Sequence, residues 1–191
     1  MAVILGTSVD DTLTGGDGND SIYGGRGSDR LSGNAGDDGL IGSYGNDILE
    51  GGNGNDTLIG AGRIDQYTGA VSRGAGEIDL LTGGSGTDTF VFAGGSARGG
   101  GGSSYRFNGN SDYALITDFN KSEDIISLAK VEFSGSSSTA VEYSLGATPE
   151  GLPVGTGVYL NNLGAQPDLI AILQGVDSNS VSLTESYFNI V

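Results

Sequence analysis

The sequence predicts an all-β fold in which short parallel strands are stacked in a coil. Residues 6–91 divide into nine blocks of nine residues, interrupted once by five extra residues, Gly69 to Arg73. Glycine supplies 37 of the 191 residues, far above ordinary usage. A repeat this short indicates a solenoid, in which each unit buries its apolar side only against its neighbours.

Three positions of the block are constant. Position 1 is always glycine, position 6 is always aspartate and position 8 is always a large apolar residue. The position-6 residues are Asp11, Asp20, Asp29, Asp38, Asp47, Asp56, Asp65, Asp79 and Asp88. The position-8 residues are Leu13, Ile22, Leu31, Leu40, Leu49, Leu58, Tyr67, Leu81 and Phe90. Such agreement predicts one structural unit repeated nine times.

Each position has a physical interpretation. Glycines at positions 1, 2 and 4 allow positive φ, so the first six residues can form a tight loop. Positions 7 to 9 suit a very short strand with the position-8 side chain pointing inward. Two blocks would form one flattened turn of 18 residues. Stacked turns would align the position-8 residues as a core and the aspartates as a column along each edge.

A bare column of aspartates would repel itself, because the carboxylates of successive turns lie about 4.8 Å apart. A divalent cation between successive loops removes this repulsion. Carboxylate and carbonyl oxygens are the ligands that Ca²⁺ accepts in flexible geometry, whereas Mg²⁺ demands a small octahedral shell. The sequence therefore predicts several bound calcium ions.

The blocks match the nonapeptide GGxGxDxUx, and the chain resembles the RTX, or hemolysin-type calcium-binding, family. This resemblance implies a right-handed parallel β-roll with two nonapeptides per turn, followed by a C-terminal β cap. It also implies that each ion lies between one loop and the equivalent loop a full turn later. The implied pairs, about five sites, are Asp11 with Asp29, Asp20 with Asp38, Asp29 with Asp47, Asp38 with Asp56, and Asp47 with Asp65.

Two blocks depart from the pattern. Those that begin at Gly60 and Gly74 have Arg63 and Glu77 at position 4, and both have isoleucine at position 5. The aspartate columns are therefore expected to break or change register here, which affects sites that involve Asp65, Asp79 and Asp88. Glu77 could replace a carbonyl ligand and Arg63 could stand where an ion is missing. Alternatively, both are solvated surface charges.

Three regions follow from the composition. Residues 1–93 are predicted to form the calcium-binding roll, residues 94–111 a Gly/Ser-rich loop, and residues 112–191 a β capping region. The resemblance implies that this last region carries a type I secretion signal. Strands are expected at Ala114 to Ile116 and at Ile125 to Leu128. Further apolar runs of the cap are Gly157 to Leu160, Asp168 to Leu173, Val181 to Leu183 and Tyr187 to Val191.

Two aspartates lie between the first strands of the capping region. Asp118 and Asp124 belong to a segment, TDFNKSED, that resembles the end of the roll in many RTX proteins. They are candidate ligands of a further calcium ion. Carboxylates of an ordinary turn would explain them equally well.

Composition excludes several functions. A net charge of −16 repels nucleic acid and anionic membrane surfaces, and no apolar run is long enough to span a membrane. Without histidine or cysteine there is no conventional hydrolase base, and neither HExxH nor GxSxG occurs. The sequence predicts that the chain is not an enzyme.

The remaining hypothesis is a secreted, extracellular calcium-binding protein with a structural role. It would fold on binding calcium and self-assemble into a matrix, sheath, surface layer or filament through the ends of the roll. The apolar segment Val3 to Leu5 would pair with Leu169 to Leu173 or with Tyr187 to Val191 of another copy. Alternatively, Val3 to Leu5 is the first strand of its own core. The protein would then be a monomeric calcium-dependent secretion or folding module, or an accessory adhesin.

Overall fold

Short strands dominate the computed structural model, which describes residues 1–61, 76–94, 102–103, 110–128, 142–161 and 166–190. A single-turn 3-10 helix, Ser178–Ser180, lies near the end of the chain. The strands are β1 Val3–Leu5, β2 Thr12–Thr14, β3 Ser21–Arg26, β4 Arg30–Ala35, β5 Gly39–Tyr44, β6 Ile48–Asn53, β7 Thr57–Ala61, β8 Ile78–Ser85, β9 Thr89–Val91, β10 Ala93–Gly94, β11 Gly102–Ser103, β12 Tyr113–Ile116, β13 Ile125–Leu128, β14 Glu142–Ala147, β15 Gly155–Asn161, β16 Asp168–Gln174 and β17 Phe188–Ile190.

The strands form two main sheets that share one coil. One sheet has the order β1-β3-β5-β7-β9-β13-β17, and the other has the order β2-β4-β6-β8-β12-β16-β15-β14. Consecutive repeat strands therefore alternate between the sheets. From β1 to β7, neighbours within a sheet are parallel and 18 residues apart, as in the pairing of Ile22 with Leu40. This confirms the predicted all-β parallel β-roll with two nonapeptides per turn.

The position-8 side chains fill the space between the sheets. Ile22, Leu31, Leu40, Leu49, Leu58, Leu81 and Phe90 are completely buried, while Leu13 is half-buried at the end of the roll. Isoleucine, leucine and phenylalanine suit a strand whose single inward side chain must pack against the same position in the next turn. The predicted core is confirmed for every described block; Tyr67 lies outside the described residues.

Within the described nonapeptide repeats, the register changes once. Strand β8 lies beside β6 with Leu49 opposite Leu81, so these turns are 32 residues apart rather than 18. The expected pairing of Asp47 with Asp65 is therefore wrong, because Asp79 occupies the position one turn after Asp47. The later block supplies Leu81, which is completely buried in the core. Asp65 and Arg63 lie outside the described residues.

The C-terminal residues continue the same two sheets. Strands β12 and β13 add a turn, and they contain the strands predicted at Ala114 to Ile116 and Ile125 to Leu128. Strands β16 and β17 follow, and β15 and β14 complete one sheet in antiparallel order. No strand forms at Val181 to Leu183, where the backbone turns and the amide of Ser182 donates to the Tyr187 hydroxyl.

One hydrophobic core runs from the repeats into this region. Phe119, Ile126 and Phe188 belong to the same buried cluster as the position-8 residues. Of the Gly/Ser-rich loop predicted at residues 94–111, only residues 94, 102–103 and 110–111 are described. Among the described residues, no helix is long and apolar enough to cross a membrane.

Candidate metal centre

The repeat aspartates lie in two columns, one along each edge of the roll. The backbone N–H of each aspartate donates to Oδ1 of the aspartate one turn later, at distances from 2.6 to 3.1 Å. The first column contains Asp11, Asp29, Asp47 and Asp79. The second contains Asp20, Asp38, Asp56, Asp88 and Asp124. One oxygen of each carboxylate thus joins successive turns.

A second ladder runs in the opposite direction at position 5. The side chains of Asp10, Asn19 and Asp37 accept hydrogen bonds from the position-5 amides of the following turn, at 2.8 to 3.0 Å. Our sequence interpretation missed this ladder. The signal was present, because position 5 is aspartate, asparagine or serine in each of the first six blocks. Each turn is therefore held to both of its neighbours by side chains.

The second carboxylate oxygen distinguishes two kinds of loop. In the loops that contain Asp29, Asp38, Asp47 and Asp56, Oδ2 is buried and accepts no hydrogen bond. We call these the open loops. In the loops that contain Asp11, Asp20 and Asp124, Oδ2 accepts a hydrogen bond from the backbone N–H four residues earlier, at 2.6 to 2.8 Å. We call these the closed loops.

The backbone of the open loops explains this difference. Their position-2 residues all have positive φ, including the non-glycine residues Asn34 at 75° and Ser43 at 89°. They also pair with the neighbouring turns, as Gly25 does with Ser43. In the closed loops the position-2 amide instead donates to the aspartate, as in Gly16 to Asp20. The loop of Asp88 has the open conformation as well, with φ of 104° at Gly84.

Each open loop surrounds a small space lined by oxygen. A Cβ atom built on Gly24 would lie within 3 Å of both Asp29 Oδ2 and the carbonyl oxygen of Gly42 in the next turn. A Cβ atom on Gly51 would likewise meet Asp56 Oδ2 and the Gly83 carbonyl oxygen. In these two loops, an Oδ2 atom without a donor and a carbonyl oxygen of the next turn both lie beside the position-1 glycine, an arrangement that fits a hard cation.

The pKa values of the column aspartates favour a cation in the open loops. Burial raises the pKa of Asp29 and of Asp56 to about 6. Burial, together with the nearby charge of Asp79, raises the pKa of Asp47 to about 9. In the closed loop of Asp20, by contrast, hydrogen bonds from the Gly16 and Ala2 amides lower the pKa. The open-loop carboxylates are therefore costly to ionise unless a cation is bound.

The ligand set is mostly main chain. Within the described part of the chain, no three acidic side chains converge on one point. An ion in an open loop would thus use one carboxylate or two, with carbonyl oxygens completing its shell. Such all-oxygen sites of variable geometry suit Ca²⁺ better than transition metals, which prefer nitrogen or sulfur ligands.

The remaining predicted site residues have different positions. Asp79 and Asp88 are buried and continue the two columns, and Asp124 extends the second column by one turn. Asp118 lies outside the columns, where its two oxygens accept hydrogen bonds from the Gly83 and Gly84 amides at 3.0 and 2.8 Å. Asp112 and Asp168 are also buried, and no pattern in the sequence had indicated it.

Three comparisons with known proteins complete the description of the site. Residues 5–40, 33–65 and 72–96 match the family described as RTX calcium-binding nonapeptide repeat (4 copies). The chain is also similar to the solution structure of the AlgE6R3 subunit from the Azotobacter vinelandii mannuronan C5-epimerase, with 26% sequence identity and a TM-score of 0.48. That similarity covers 97% of this chain and 80% of the other. No curated protein matches the chain.

Proposed function

Because the repeat region of this chain belongs to the RTX calcium-binding nonapeptide repeat family, we propose that its open loops are the calcium sites of a protein that folds on binding the metal. These loops contain Asp29, Asp38, Asp47 and Asp56, and we count the loop of Asp88 with them because its backbone has the same conformation. Calcium there would supply the positive charge that the buried carboxylates lack, and it would join each loop to the next turn.

One observation carries this assignment. The Oδ2 atoms of Asp29, Asp38, Asp47 and Asp56 are buried without a hydrogen bond, although buried polar atoms are nearly always satisfied. In the closed loops of Asp11, Asp20 and Asp124, backbone amides already occupy that oxygen. Both oxygens of Asp118 accept backbone hydrogen bonds as well. We therefore assign these four residues to structural hydrogen bonding.

Isothermal titration of the intact, metal-free chain with calcium tests the proposal. We expect a stoichiometry of about five ions, one for each open loop, accompanied by a gain of β-structure in circular dichroism. Asp56→Asn should weaken binding, because it removes a charged ligand. Asp20→Asn, the matched change in a closed loop, should leave the stoichiometry unchanged. Absence of binding at millimolar calcium would refute the proposal, and loss of an ion in Asp20→Asn would refute the distinction between loops.

We further propose a structural, non-enzymatic role outside the cell, with the C-terminal region acting as cap and type I secretion signal. This part rests on the family, whose members are typically secreted, and on the charge of −16 that calcium would partly neutralise. Strand β1 is the first strand of a sheet of its own chain, which agrees with the alternative that Val3 to Leu5 folds as part of its own roll. However, no strand in the described part of the chain pairs with its outer edge, and Val3 and Leu5 are 64% and 54% exposed.

The partner strand for self-assembly needs a correction. Leu169 to Leu173 cannot serve, because β16 lies between β15 and β12 and all five of these side chains are completely buried. Strand β17 remains a candidate, since it is the other edge of the sheet that contains β1, and Ile190 is 49% exposed. Parallel pairing of β17 with β1 of another copy would continue the sheet and generate a filament.

Sedimentation velocity with and without calcium distinguishes the two roles. Self-assembly predicts large species only with calcium, and Val3→Lys should abolish them because it places a charge on the open edge. Thr12→Lys changes the edge of the other sheet and serves as the control. A protein that remains monomeric with calcium at high concentration would instead be a secretion or folding module or an accessory adhesin.

A further inference from the structure

Glu77 is the one acidic residue at position 4 of a block, a position that is glycine in six of the nine blocks. Its side chain reaches back by one turn. Oε1 accepts a hydrogen bond from the backbone N–H of Gly45 at 3.1 Å. Gly45 occupies position 4 of the preceding turn, in the open loop formed by residues 42–47. The carboxylate of Glu77 therefore enters a loop that already contains the carboxylate of Asp47.

The carboxylate of Asp47 is deeply buried in the first column. Asp47 is 1% exposed, its Oδ1 accepts the amide of Asp29, and its Oδ2 accepts no hydrogen bond. The Gly45 amide, two residues before Asp47, holds the carboxylate of Glu77, and the Asp47 amide donates to Oδ1 of Asp79 at 2.8 Å. The loop therefore combines an unpartnered buried oxygen with a second carboxylate that its own repeat sequence does not provide.

The second column contains a matched loop without this feature. The open loop of Asp56, residues 51–56, is followed one turn later by Gly86 at position 4, also after 32 residues. Gly86 has no side chain to reach back. The two loops therefore span the same change of register, and the residue at position 4 of the following turn is Glu77 for one and Gly86 for the other.

We propose that Glu77 is an additional cation ligand, and that the loop of residues 42–47 is the tightest calcium site of the roll. This inference rests on the proposed calcium binding of the open loops. Calcium affinity rises with the number of charged ligands, so a second carboxylate makes this loop fill first. Its ion joins Asp47 to the turn that follows the change of register.

Tyr44 provides a local probe, because within the described repeat loops it is the only tyrosine. Terbium bound in the loop of residues 42–47 should accept excitation energy from Tyr44, and Tyr44→Phe identifies that part of the emission. In the wild-type chain we expect this emission at the lowest terbium concentrations. In Glu77→Gln it should require at least about ten-fold more terbium, because glutamine keeps an acceptor for the Gly45 amide but loses the charge.

Two further variants complete the test. Glu77→Gly restores the usual residue of the repeat and should weaken the site as Glu77→Gln does. Glu185→Gln makes the same chemical change on an exposed loop and should leave the titration unchanged. Circular dichroism at saturating calcium checks that each variant folds. If Glu77→Gly does not fold, the result for Glu77→Gln alone tests the inference.

The outcomes separate this inference from the proposed function. Tyr44-dependent emission at the same terbium concentration in Glu77→Gln and wild type would overturn the role of Glu77, even if several ions bind. Emission from Tyr44 that appears only after the other sites are filled would overturn the order of filling. Absence of terbium and calcium binding in the wild-type chain would instead refute the calcium sites as a whole.

Discussion

At the scale of single residues, the two oxygens of a repeat aspartate have separate functions. Oδ1 accepts the amide of the preceding turn, which stabilises the stack whether or not metal is present. In the loops of Asp29, Asp38, Asp47 and Asp56, Oδ2 is buried and accepts no hydrogen bond. Removing such an aspartate therefore deletes a structural hydrogen bond and a candidate ligand at once.

Asp38→Ala should consequently shift the calcium dependence of folding. It leaves the Asp20 amide without its acceptor and empties the open loop that faces Gly51. We expect the calcium concentration at the folding midpoint to rise by at least about ten-fold. Circular dichroism during a calcium titration measures this midpoint. Asp177→Ala, which removes the cap of the 3-10 helix, is the control, and a wild-type midpoint for Asp38→Ala would contradict the register of the column.

The raised pKa values predict a pH dependence of the calcium-free protein. Asp29 and Asp56 have a pKa of about 6 and Asp47 of about 9 in the folded state, above the ordinary value near 4. The folded chain therefore binds protons that the unfolded chain has released. These groups favour folding at pH below about 4, and their contribution is lost as the pH rises through about 6 and then about 9.

In excess chelator, β-structure should thus increase as the pH is lowered from about 8 to about 5. Calcium must displace these protons, so the calcium concentration needed for folding should be higher at the lower pH. Circular dichroism at a series of pH values measures both effects. A calcium-free chain that gains structure as the pH rises would contradict the assigned burial of these carboxylates.

At the scale of the loop and strand, the position-1 glycines create the space that a cation requires. A Cβ atom on Gly33 would lie within 3 Å of both Asp38 Oδ2 and the Gly51 carbonyl oxygen. Gly33→Ala should therefore block that open loop and remove about one ion from the stoichiometry. Gly39→Ala is the matched control, because the nearest atom to its Cβ would be the Asp20 carbonyl oxygen at 4.0 Å. Isothermal titration distinguishes them, and equal stoichiometries would contradict the site.

The loops and strands of the roll were largely predictable, because every block has the same residue type at each of three positions. Glycine at position 1, aspartate at position 6 and an apolar residue at position 8 determine a loop, a column and a core. The closed loops were not predictable, since Gly16 precedes Asp20 in a block that matches the pattern as well as any. Whether the position-2 amide turns toward the aspartate depends on the neighbouring turns, which the sequence of one block does not contain.

The change of register was predictable only in part. Arg63 and Glu77 indicated where the pattern fails, but the choice between Asp65 and Asp79 depends on which block packs better against β6. Strand β14 was not predicted, and neither was the antiparallel pairing of β15 with β14 and β16. Their residues lie outside the repeat, where alternating apolar residues indicate strands but do not specify their partners.

At the scale of the whole molecule, charge opposes folding. The chain carries a net charge of −16, and the aspartates of each column are stacked one turn apart. We expect the metal-free chain at neutral pH to be largely unfolded and the calcium-bound chain to be rich in β-structure, because the binding free energy is here folding free energy. Far-UV circular dichroism with calcium and with chelator measures this. A chain that keeps its β-structure in excess chelator at neutral pH would contradict it.

The pairing of β6 with β8 has a practical consequence for protein engineering. Successive turns of the roll lie one strand spacing apart, about 4.8 Å. Leu49 and Leu81 are neighbours in adjacent strands although 32 residues separate them in the chain. The stack therefore accepts a connection of non-standard length between Ala61 and Gly76 without losing the alignment of either column. That connection is a natural point at which to graft a reporter domain or a binding peptide, since the roll on both sides depends on register rather than on chain length.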